Sequence, residues 1–577
     1  MKTVSGYVEN ITFRNEDNGF TVLTLSSGKE DITCTGNFGY IGQGEYVEIE
    51  GEEVFHEIYG KQIKATNYKI VPATDELSLK KYLGSGAIKG LGAVLADRIV
   101  DKFGEDTFRI IEEEPERLAE IRGITTRKAM DISTQLEEKK DMRDVMIFLQ
   151  GYGISPTLST KIFNNYGTRV YDIIKTNPYQ LADDVTGIGF KTADEIARRA
   201  GVEVNASVRI KSGMCYALTE ASLSGHTYLP KEKMVETTIN LLGLRDQYLN
   251  ADGTYNMELL DNCFTELVLE KKLILKEIDD NQAVFLSTFY YTELNIARML
   301  LELNISTPED DYILGVKMDT VEDMSGIHLD DLQRQAVVAT QNNGVSIITG
   351  GPGTGKTTTI NAIIQLFESD GLEVSLAAPT GRAAKRMTEA TGHEAKTIHR
   401  MLEISGGQSD DPELDAKFGR NEQNPLETDV VIVDEMSMVD TFLMHAFLKA
   451  VTVGTRLVFV GDVNQLASVG PGNVLKDIIE SECFKVVRLT KVFRQAGESG
   501  IVTNAHKINE GKEVKLDNSF GDFLYIEREN AQMALNATIG LIKTKLPAYV
   551  GANEMDIQVL TPMRNGILGV NSLNPGL

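Results

Sequence analysis

A glycine-rich run near the middle of the chain carries the residue types that bind a triphosphate. It is Gly350-Gly351-Pro352-Gly353-Thr354-Gly355-Lys356-Thr357-Thr358, and it lies between the apolar stretch 346–349 and the helix-compatible stretch 359–367. Because glycine tolerates positive φ, backbone N–H groups can curl around phosphates here. The Lys356 ammonium can reach the β- and γ-phosphates, and the Thr357 hydroxyl can ligate Mg²⁺. The pattern is a P-loop and predicts nucleoside triphosphate binding.

Two carboxylates stand at the end of a second apolar run. Asp434 and Glu435 follow residues 430–433, which are all apolar and typical of a buried parallel strand. Parallel sheets place their chemistry at the carboxyl ends of the strands. We expect Asp434 to hold Mg²⁺ together with Thr357, and Glu435 to orient and deprotonate the attacking water.

Two residues farther along are candidate catalytic groups of the same site. Gln465 lies in the polar turn after the apolar stretch 457–460, where its amide could sense the γ-phosphate. Arg494 is a candidate arginine finger, because a guanidinium can stabilise transition-state charge from across a cleft. Each residue considered alone is more typical of a surface group, so the catalytic interpretation depends on their order behind the P-loop.

Further polar residues flank the P-loop on both sides. Thr380 and Arg382 follow a predicted buried strand, and Thr397 and His399 come shortly after them. These side chains suit contact with a phosphate backbone, although both segments could be surface loops without a ligand. Upstream of the P-loop, the side-chain amide of Gln333 could bind the edge of an adenine base.

The composition is that of a soluble globular protein with several domains. The 577 residues, 42 % of them hydrophobic and 25 % charged, imply roughly three to five domains. We find neither an apolar stretch of membrane-spanning length nor a secretory signal, which predicts a cytoplasmic location. The net charge of −26 argues against a protein that coats nucleic acid with its whole surface, but it permits a local basic groove that binds nucleic acid. The four cysteines have no zinc-type spacing and are expected to be reduced packing residues.

Residues 1–73 are predicted to form a small β-barrel of the OB type. Turn signals such as Asn18-Gly19 and Ser27-Gly28 lie between the first predicted strands. The apolar or alternating stretches that predict strands are 4–8, 20–25, 46–51 and 62–65. Barrels of this type often handle oligonucleotides, and a docking or structural barrel is an equally good interpretation.

Residues 74–203 are predicted to be helical, with a recurring glycine hairpin between helices. The four recurring segments are 88–99, 121–132, 152–163 and 185–197. Each resembles a helix-hairpin-helix element, which directs backbone N–H groups at a DNA phosphate and ignores base sequence. Candidate DNA-binding residues are therefore Gly90, Gly92, Gly187 and Gly189. Ordinary helix packing is the alternative, and the tandem copies favour the DNA-binding interpretation.

Residues 204–320 mix predicted helices with short strands and carry no constellation typical of chemistry. Strands are predicted at 272–275 and 283–286. The spacing resembles a winged-helix unit followed by a helical linker. We interpret this part as a connector or scaffold.

The ordered motifs of the second half look like those of superfamily 1 helicases. Besides the P-loop, they are Ala378-Pro-Thr-Gly-Arg-Ala-Ala384, Thr397-Ile-His399, Val433-Asp-Glu-Met-Ser437, Gly461-Asp-Val-Asn-Gln465 and Val492-Phe-Arg-Gln495. Within the superfamily the chain resembles the bacterial RecD/TraA branch. Its predicted barrel and hairpin array resemble the long class of RecD-like helicases, which work without RecB and RecC.

This resemblance implies a multidomain α/β protein with two RecA-like lobes, at 321–490 and, in part, at 491–577. It implies ATP and Mg²⁺ between the lobes and 5′→3′ movement on single-stranded DNA or on single-strand/double-strand junctions. The expected protein is a monomer with no obligate protein partner. By resemblance, Gln333 contacts adenine, whereas Gln465 and Arg494 contact the γ-phosphate. The residues that the resemblance places on the DNA path are Thr380, Arg382, Thr397 and His399.

One departure from the family concerns the end of the chain. Residues 556–577 look like the middle of the second lobe, and the later motifs that contact DNA and bring a second arginine to ATP are not found, nor is an SH3-like insertion. A motor needs both lobes to close around ATP, so coupling of ATP to DNA movement is expected to be poor. The rival hypothesis is a DNA- and ATP-binding module without motor activity, and a P-loop kinase or transporter ATPase is a weaker one.

Overall fold

The structure is a computed structural model that describes most of the chain. The described residues are 2–14, 20–26, 31–38, 41, 45–56, 60–71, 79–80, 83–84, 88–245, 257–278, 280–404, 418–493 and 499–577. The chain divides into two compact units, one up to Tyr291 and one from Thr292 onward, which are described separately below.

A closed five-stranded barrel begins the first unit. Its strands are β1 (Lys2–Arg14), β2 (Phe20–Ser26), β3 (Asp31–Asn37), β4 (Tyr46–His56) and β5 (Gly60–Val71), in the order β1-β2-β3-β5-β4. Along β2 and the first half of β4 alternate side chains point inward, so that Leu23, Leu25, Val47 and Ile49 are fully buried. The prediction of an OB-like barrel is confirmed, and each predicted strand lies within an observed one.

Seven α-helices of the described residues follow the barrel. They are α1 (Ala93–Phe103), α2 (Thr107–Glu113), α3 (Thr126–Gly151), α4 (Pro156–Tyr166), α5 (Val170–Thr176), α6 (Gln180–Asp184) and α7 (Phe190–Arg199). Each predicted hairpin precedes one of these helices, namely α1, α3, α4 or α7. The turns contain the glycines with positive φ at Gly90 (84°), Gly123 (106°), Gly153 (79°) and Gly187 (98°). The predicted helix-hairpin-helix array is therefore confirmed as structure.

The four hairpins belong to two hydrophobic cores. The first core runs from Leu79 to Leu136 and contains the first two hairpins. The second runs from Val145 to Val284 and joins the last two hairpins to the segment that follows them. The boundary placed at 203/204 thus lies inside a continuous core, because side chains on both sides of it pack together.

The rest of the first unit combines three helices with a small antiparallel sheet. The elements are α8 (Ser207–Ser222), α9 (Lys231–Leu242), α10 (Glu258–Leu269), β6 (Tyr228–Pro230), β7 (Leu273–Ile278) and β8 (Asn281–Leu286). The strand order is β6-β8-β7. The two strands predicted from sequence are the hairpin β7–β8.

The second unit is built on a six-stranded parallel sheet. Its strands are β9 (Val345–Gly350), β10 (Val374–Ala378), β11 (Ala395–Thr397), β12 (Val430–Val433), β13 (Arg456–Gly461) and β14 (Lys485–Leu489). Their order is β11-β10-β12-β13-β9-β14, and every pairing is parallel. In this order β13 lies between β12 and β9, the strand that precedes the P-loop.

Helices cover both faces of this sheet, because its strands are apolar on both sides. Along β12, Val431 and Val433 belong to one hydrophobic core and Val430 and Ile432 to the other. The helices of this part are α11 (Ser287–Leu303), α12 (Asp311–Ser325), α13 (Asp331–Asn342), α14 (Lys356–Ser369), α15 (Gly381–Thr391), α16 (Ile398–Met401), α17 (Thr441–Lys449) and α18 (Val474–Glu480). The predicted α/β fold with a P-loop lobe is confirmed.

Residues 499–577 carry helices, and no strand is assigned within them. The helices are α19 (Gly500–Asn509), α20 (Ala531–Gly540), α21 (Leu546–Val550) and α22 (Val570–Leu573). Across the described part of the chain, none of the helices has the length and apolar character needed to cross a bilayer.

Candidate active site

A cavity of 610 Å³ opens at the carboxyl ends of β9, β12 and β13. The P-loop forms one wall, the residues after β12 and β13 form another, and α15 forms a third. Its lining residues are Gly351, Pro352, Gly353, Thr354, Gly355, Lys356, Thr357, Thr358, Ile360, Ala383, Arg386, Met387, Ala390, Thr391, Asp434, Glu435, Gln465 and Phe493. Residues far apart in the sequence therefore meet where the P-loop predicts a triphosphate.

The P-loop has the backbone shape that phosphate binding requires. Gly353 and Gly355 have φ of 77° and 80°, in the region that favours glycine. A Cβ at Gly355 would also lie 2.4 Å from the side-chain amide nitrogen of Gln333. The Lys356 Nζ donates to the carbonyl oxygens of Gly350 (2.7 Å) and Gly351 (3.2 Å), so its charge is held over the loop.

Asp434 and Glu435 are held by the end of β12. The Asp434 amide donates to the Ala377 carbonyl at 3.0 Å, and the Asp434 Oδ1 accepts from the Glu435 amide at 2.8 Å. Glu435 has φ of 54°, a strained backbone for a residue with a side chain. Its Oε2 is buried and has no hydrogen-bond partner within the described residues. The strained backbone and the unpaired carboxylate oxygen are both typical of a catalytic side chain.

Burial perturbs both carboxyl groups. Desolvation raises the pKa of Asp434 above its ordinary value. Desolvation, followed by the neighbouring Asp434 charge, raises the pKa of Glu435. The positive charges of Lys356 and Arg386 act on both groups in the opposite direction. A cation bound between the carboxylates and a phosphate would lower the remaining free-energy cost of ionising these two buried groups.

The residues present fit a hydrated Mg²⁺. This ion prefers oxygen ligands, keeps several waters and binds through one or two protein groups plus phosphate oxygens. Thr357 and Asp434 both line the cavity and supply a hydroxyl and a carboxylate. These two residues would hold the ion, which would supply charge neutralisation at the phosphates.

Removing the buried charge of Asp434 is expected to stabilise the fold. Because the folded-state pKa of Asp434 is raised, its ionisation opposes folding at neutral pH, and this cost disappears as the pH falls through that pKa. Asp434→Asn, which can still accept from the Glu435 amide, should therefore raise the Tm at pH 7 and give a smaller difference near pH 4. Exposed Asp311→Asn is the control. An equal or lower Tm for Asp434→Asn would contradict this reasoning.

Gln465 lines the cavity, whereas Gln333 does not. Gln333 is 2 % exposed, and its Oε1 accepts from the Asp330 amide at 3.0 Å while its Nε2 donates to the Gly355 carbonyl at 3.3 Å. In this structure Gln333 caps α13 and braces the P-loop. Its contact with adenine stays a prediction. The predicted arginine finger, Arg494, lies outside the described residues.

The four residues predicted on the DNA path lie outside the cavity lining. Thr380 and Thr397 cap α15 and α16 by accepting from the amides of Ala383 (3.2 Å) and Arg400 (3.1 Å). Their strands are neighbours, with Ala378 paired to Thr397, so both caps lie at one edge of the sheet. Arg382 is exposed, and the His399 ring lies 6.1 Å from the Phe418 ring.

The glycines that begin α1 and α7 leave the helix N-termini uncovered. Gly92 and Gly189 are the N-caps, without a side-chain hydrogen bond, and a Cβ at either would meet nothing within 4 Å. At α3 and α4, by contrast, the hydroxyl groups of the N-cap residues Thr125 and Ser155 accept hydrogen bonds from helix amides. Free N–H groups at a helix N-terminus attract anions. The N-termini of α1 and α7 are therefore accessible to an anion, and DNA contact by these hairpins stays a prediction.

Three residues near the P-loop were missed by sequence reasoning. Arg386 and Phe493 line the cavity. His506, on α19, covers the P-loop: a Cβ at Gly351 would lie 2.9 Å from its Cε1. The spacing of Ala383, Arg386 and Ala390 on one face of a helix was a signal for Arg386, but nothing in the sequence says which neighbour that face meets.

Comparison with known families gives three matches along the chain. Residues 1–72 match the OB-fold domain of the ATP-dependent DNA helicase YrrC. Residues 138–228 match the HHH domain of the ATP-dependent RecD2 DNA helicase. Residues 328–520 match an AAA domain.

Individual relatives give a similar result. The chain is 29 % identical to the ATP-dependent RecD2 DNA helicase of Deinococcus radiodurans, over 99 % of this chain and 77 % of that protein. It is 38 % identical to the RecBCD enzyme subunit RecD of Mycolicibacterium smegmatis, over 29 % of this chain and 33 % of the relative. Among solved structures, the Pif1 helicase from Candida albicans is 25 % identical and covers 37 % of this chain and 55 % of that one. Its TM-score of 0.28 is too low to carry an argument about the fold.

Proposed function

We propose that the chain is an ATP-dependent DNA helicase of the RecD-like branch of superfamily 1 and that it hydrolyses ATP to move 5′→3′ along single-stranded DNA. The observation that carries this proposal is the cavity in which the P-loop, Asp434, Glu435 and Gln465 meet. These groups follow the ends of three different strands, β9, β12 and β13, and each is suited to a role in phosphate chemistry. DNA repair or recombination is the proposed setting.

The residues of the cavity divide the chemistry of ATP hydrolysis among them. The P-loop amides and the Lys356 ammonium bind the β- and γ-phosphates and neutralise their charge. Thr357 and Asp434 hold Mg²⁺, which supplies further positive charge to the phosphates when bound. Glu435 accepts a proton from the attacking water through a carboxylate whose Oε2 has no other partner in the described residues. Gln465 orients the γ-phosphate, and Arg494 is the proposed finger.

The proposed DNA path runs over the edge of the sheet where β10 and β11 end. Thr380 and Thr397 cap neighbouring helices there, and the exposed Arg382 adds a guanidinium suited to a phosphate. His399 can contribute contact with a sugar or base. Contacts of this kind fix the strand in place and do not read its sequence.

The hairpins are proposed to hold the duplex side of a junction. Gly92 and Gly189 leave two helix N-termini open, and exposed Lys89 and Lys191 lie beside them. The two hairpins belong to separate hydrophobic cores, so each core presents one open hairpin. Backbone amides and lysines together provide the sequence-independent phosphate contacts that a helicase needs.

The domain bounds remain part of the proposal. By sequence we assign a barrel to 1–73, a hairpin region to 74–203, a connector to 204–320, the first ATPase lobe to 321–490 and part of the second lobe to 491–577. The hairpin region and the connector are assigned as sequence segments that share one hydrophobic core. The protein is proposed to work as a cytoplasmic monomer on junctions with a single-stranded 5′ region.

Steady-state ATP hydrolysis with and without single-stranded DNA tests the function. Strong stimulation by DNA, followed by unwinding of duplexes with a 5′ tail but not a 3′ tail, is the expected result. Unwinding from the 3′ tail would overturn the polarity. ATP and DNA binding without hydrolysis would favour the alternative function, a binding module without motor activity.

The hairpin assignment predicts the effect of a paired charge change. In the double variant Gly92→Asp/Gly189→Asp, each aspartate enters open space and is a good N-cap, so the fold should keep its Tm. The new carboxylates accept hydrogen bonds from the exposed amides and repel the DNA phosphates. Duplex binding should therefore weaken at least about tenfold. Fluorescence anisotropy with a labelled duplex measures the loss. Gly521→Asp, also in open space, is the matched control, and equal affinities for all three proteins would rule out the hairpins as DNA contacts.

A further inference from the structure

One wall of the ATP cavity is formed by α15, the helix whose N-terminal end carries Thr380 and Arg382. Five of its residues, which recur at the three- and four-residue spacing of one helix face, line the cavity: Ala383, Arg386, Met387, Ala390 and Thr391. Four of them are small or apolar. Arg386 is therefore the only charged side chain that this helix places on the cavity wall.

Arg386 is exposed and makes no hydrogen bond or ion pair in the described part of the protein. Its neighbour Lys385, by contrast, is paired with Glu389 at 3.7 Å and does not line the cavity. Guanidinium groups frequently form bidentate pairs with carboxylates. The N–H donors of an unpaired guanidinium in a cavity wall are available to hydrogen-bond a ligand bound in that cavity.

Arg386 lines the same cavity as the groups expected to act on the terminal phosphate. It shares the lining with Asp434 and Glu435, the groups assigned to the metal and the attacking water. Its charge acts on both of these carboxyl groups, as does the charge of Lys356. The water must attack the γ-phosphorus, so a cation near both carboxylates is near the γ-phosphate oxygens.

We propose that Arg386 is a γ-phosphate-binding residue of the ATP site, supplied by the first lobe itself. It distinguishes a nucleoside triphosphate from a diphosphate because its donors reach only the terminal phosphate. This assignment rests on the proposed ATPase function and adds a second cation to Lys356 from within the same lobe. It does not depend on Arg494.

Nucleotide affinity tests the assignment without requiring turnover. The full chain and its Arg386→Ala variant are titrated calorimetrically, in Mg²⁺, with a non-hydrolysable ATP analogue and with ADP. Loss of one charge-assisted phosphate contact should weaken binding of the analogue about 10- to 100-fold. Binding of ADP should change less than about twofold. Arg386→Lys should recover part of the affinity, because it restores the charge without the planar fork.

Lys385→Ala, one residue earlier on α15, is the matched control and should leave both affinities unchanged. Equal losses of analogue and ADP binding in Arg386→Ala would mean a general effect on the site and would overturn the assignment. Unchanged analogue binding would overturn it as well. If the wild-type chain proves unable to hydrolyse ATP, the proposed function fails, but the ratio of the two affinities still decides the role of Arg386.

Discussion

Lys356→Ala should reduce ATP hydrolysis about 10²- to 10³-fold, the scale expected when one preorganised group that stabilises transition-state charge is removed. The Lys356 ammonium is held over the P-loop by hydrogen bonds to the carbonyls of Gly350 and Gly351, so its charge is preorganised for the phosphates. Alanine removes this charge and leaves the backbone of the loop in place. Single-turnover hydrolysis in saturating single-stranded DNA measures the effect.

The appropriate control for Lys356→Ala is another lysine on the second unit. Lys476 lies on α18, in an exposed ion pair with Glu480, and its loss should change the rate less than twofold, since exposed pairs contribute little. Hydrolysis by Lys356→Ala within tenfold of the wild type would mean that the cavity is not the site of ATP turnover.

Glu435→Gln should slow turnover strongly while ATP binding persists. The expected loss in kcat is about 10²- to 10⁴-fold, the usual contribution of a positioned general base. Glutamine keeps the shape of the side chain, and the strained backbone at φ 54° is unchanged. Equilibrium binding of ATP should therefore stay within a few-fold of the wild type. Normal hydrolysis by Glu435→Gln would show that another group takes the proton.

The pH dependence of the wild type follows from the same residue. Burial and the Asp434 charge raise the pKa of Glu435, so the protonated, inactive form persists to a higher pH than for an ordinary glutamate. The kcat should rise with pH through this raised pKa and then level off. Glu373→Gln, a change at an amino-terminal strand end far from the lining residues, is the control for both the rate and its pH profile.

Local sequence determined most of the elements and several functional groups. Alternating residues predicted the barrel strands, because side chains of a strand point alternately to two sides. The glycine hairpins were predictable because a tight turn with positive φ, as at Gly90 and Gly187, favours one residue type. The P-loop and the Asp434-Glu435 pair were predictable because phosphate and metal chemistry demands particular residues at fixed spacing after a buried strand.

Tertiary structure decided which distant groups share the cavity. Gln333 was expected at the adenine, and the fold uses both ends of its amide to cap α13 and brace Gly355. Arg386 lies one helical turn beyond Arg382 on α15, and only Arg386 lines the cavity. His506 reaches the P-loop from α19. A helix pattern gives the faces of a helix but not its neighbours, because neighbours depend on strand order and on packing between residues far apart in the chain.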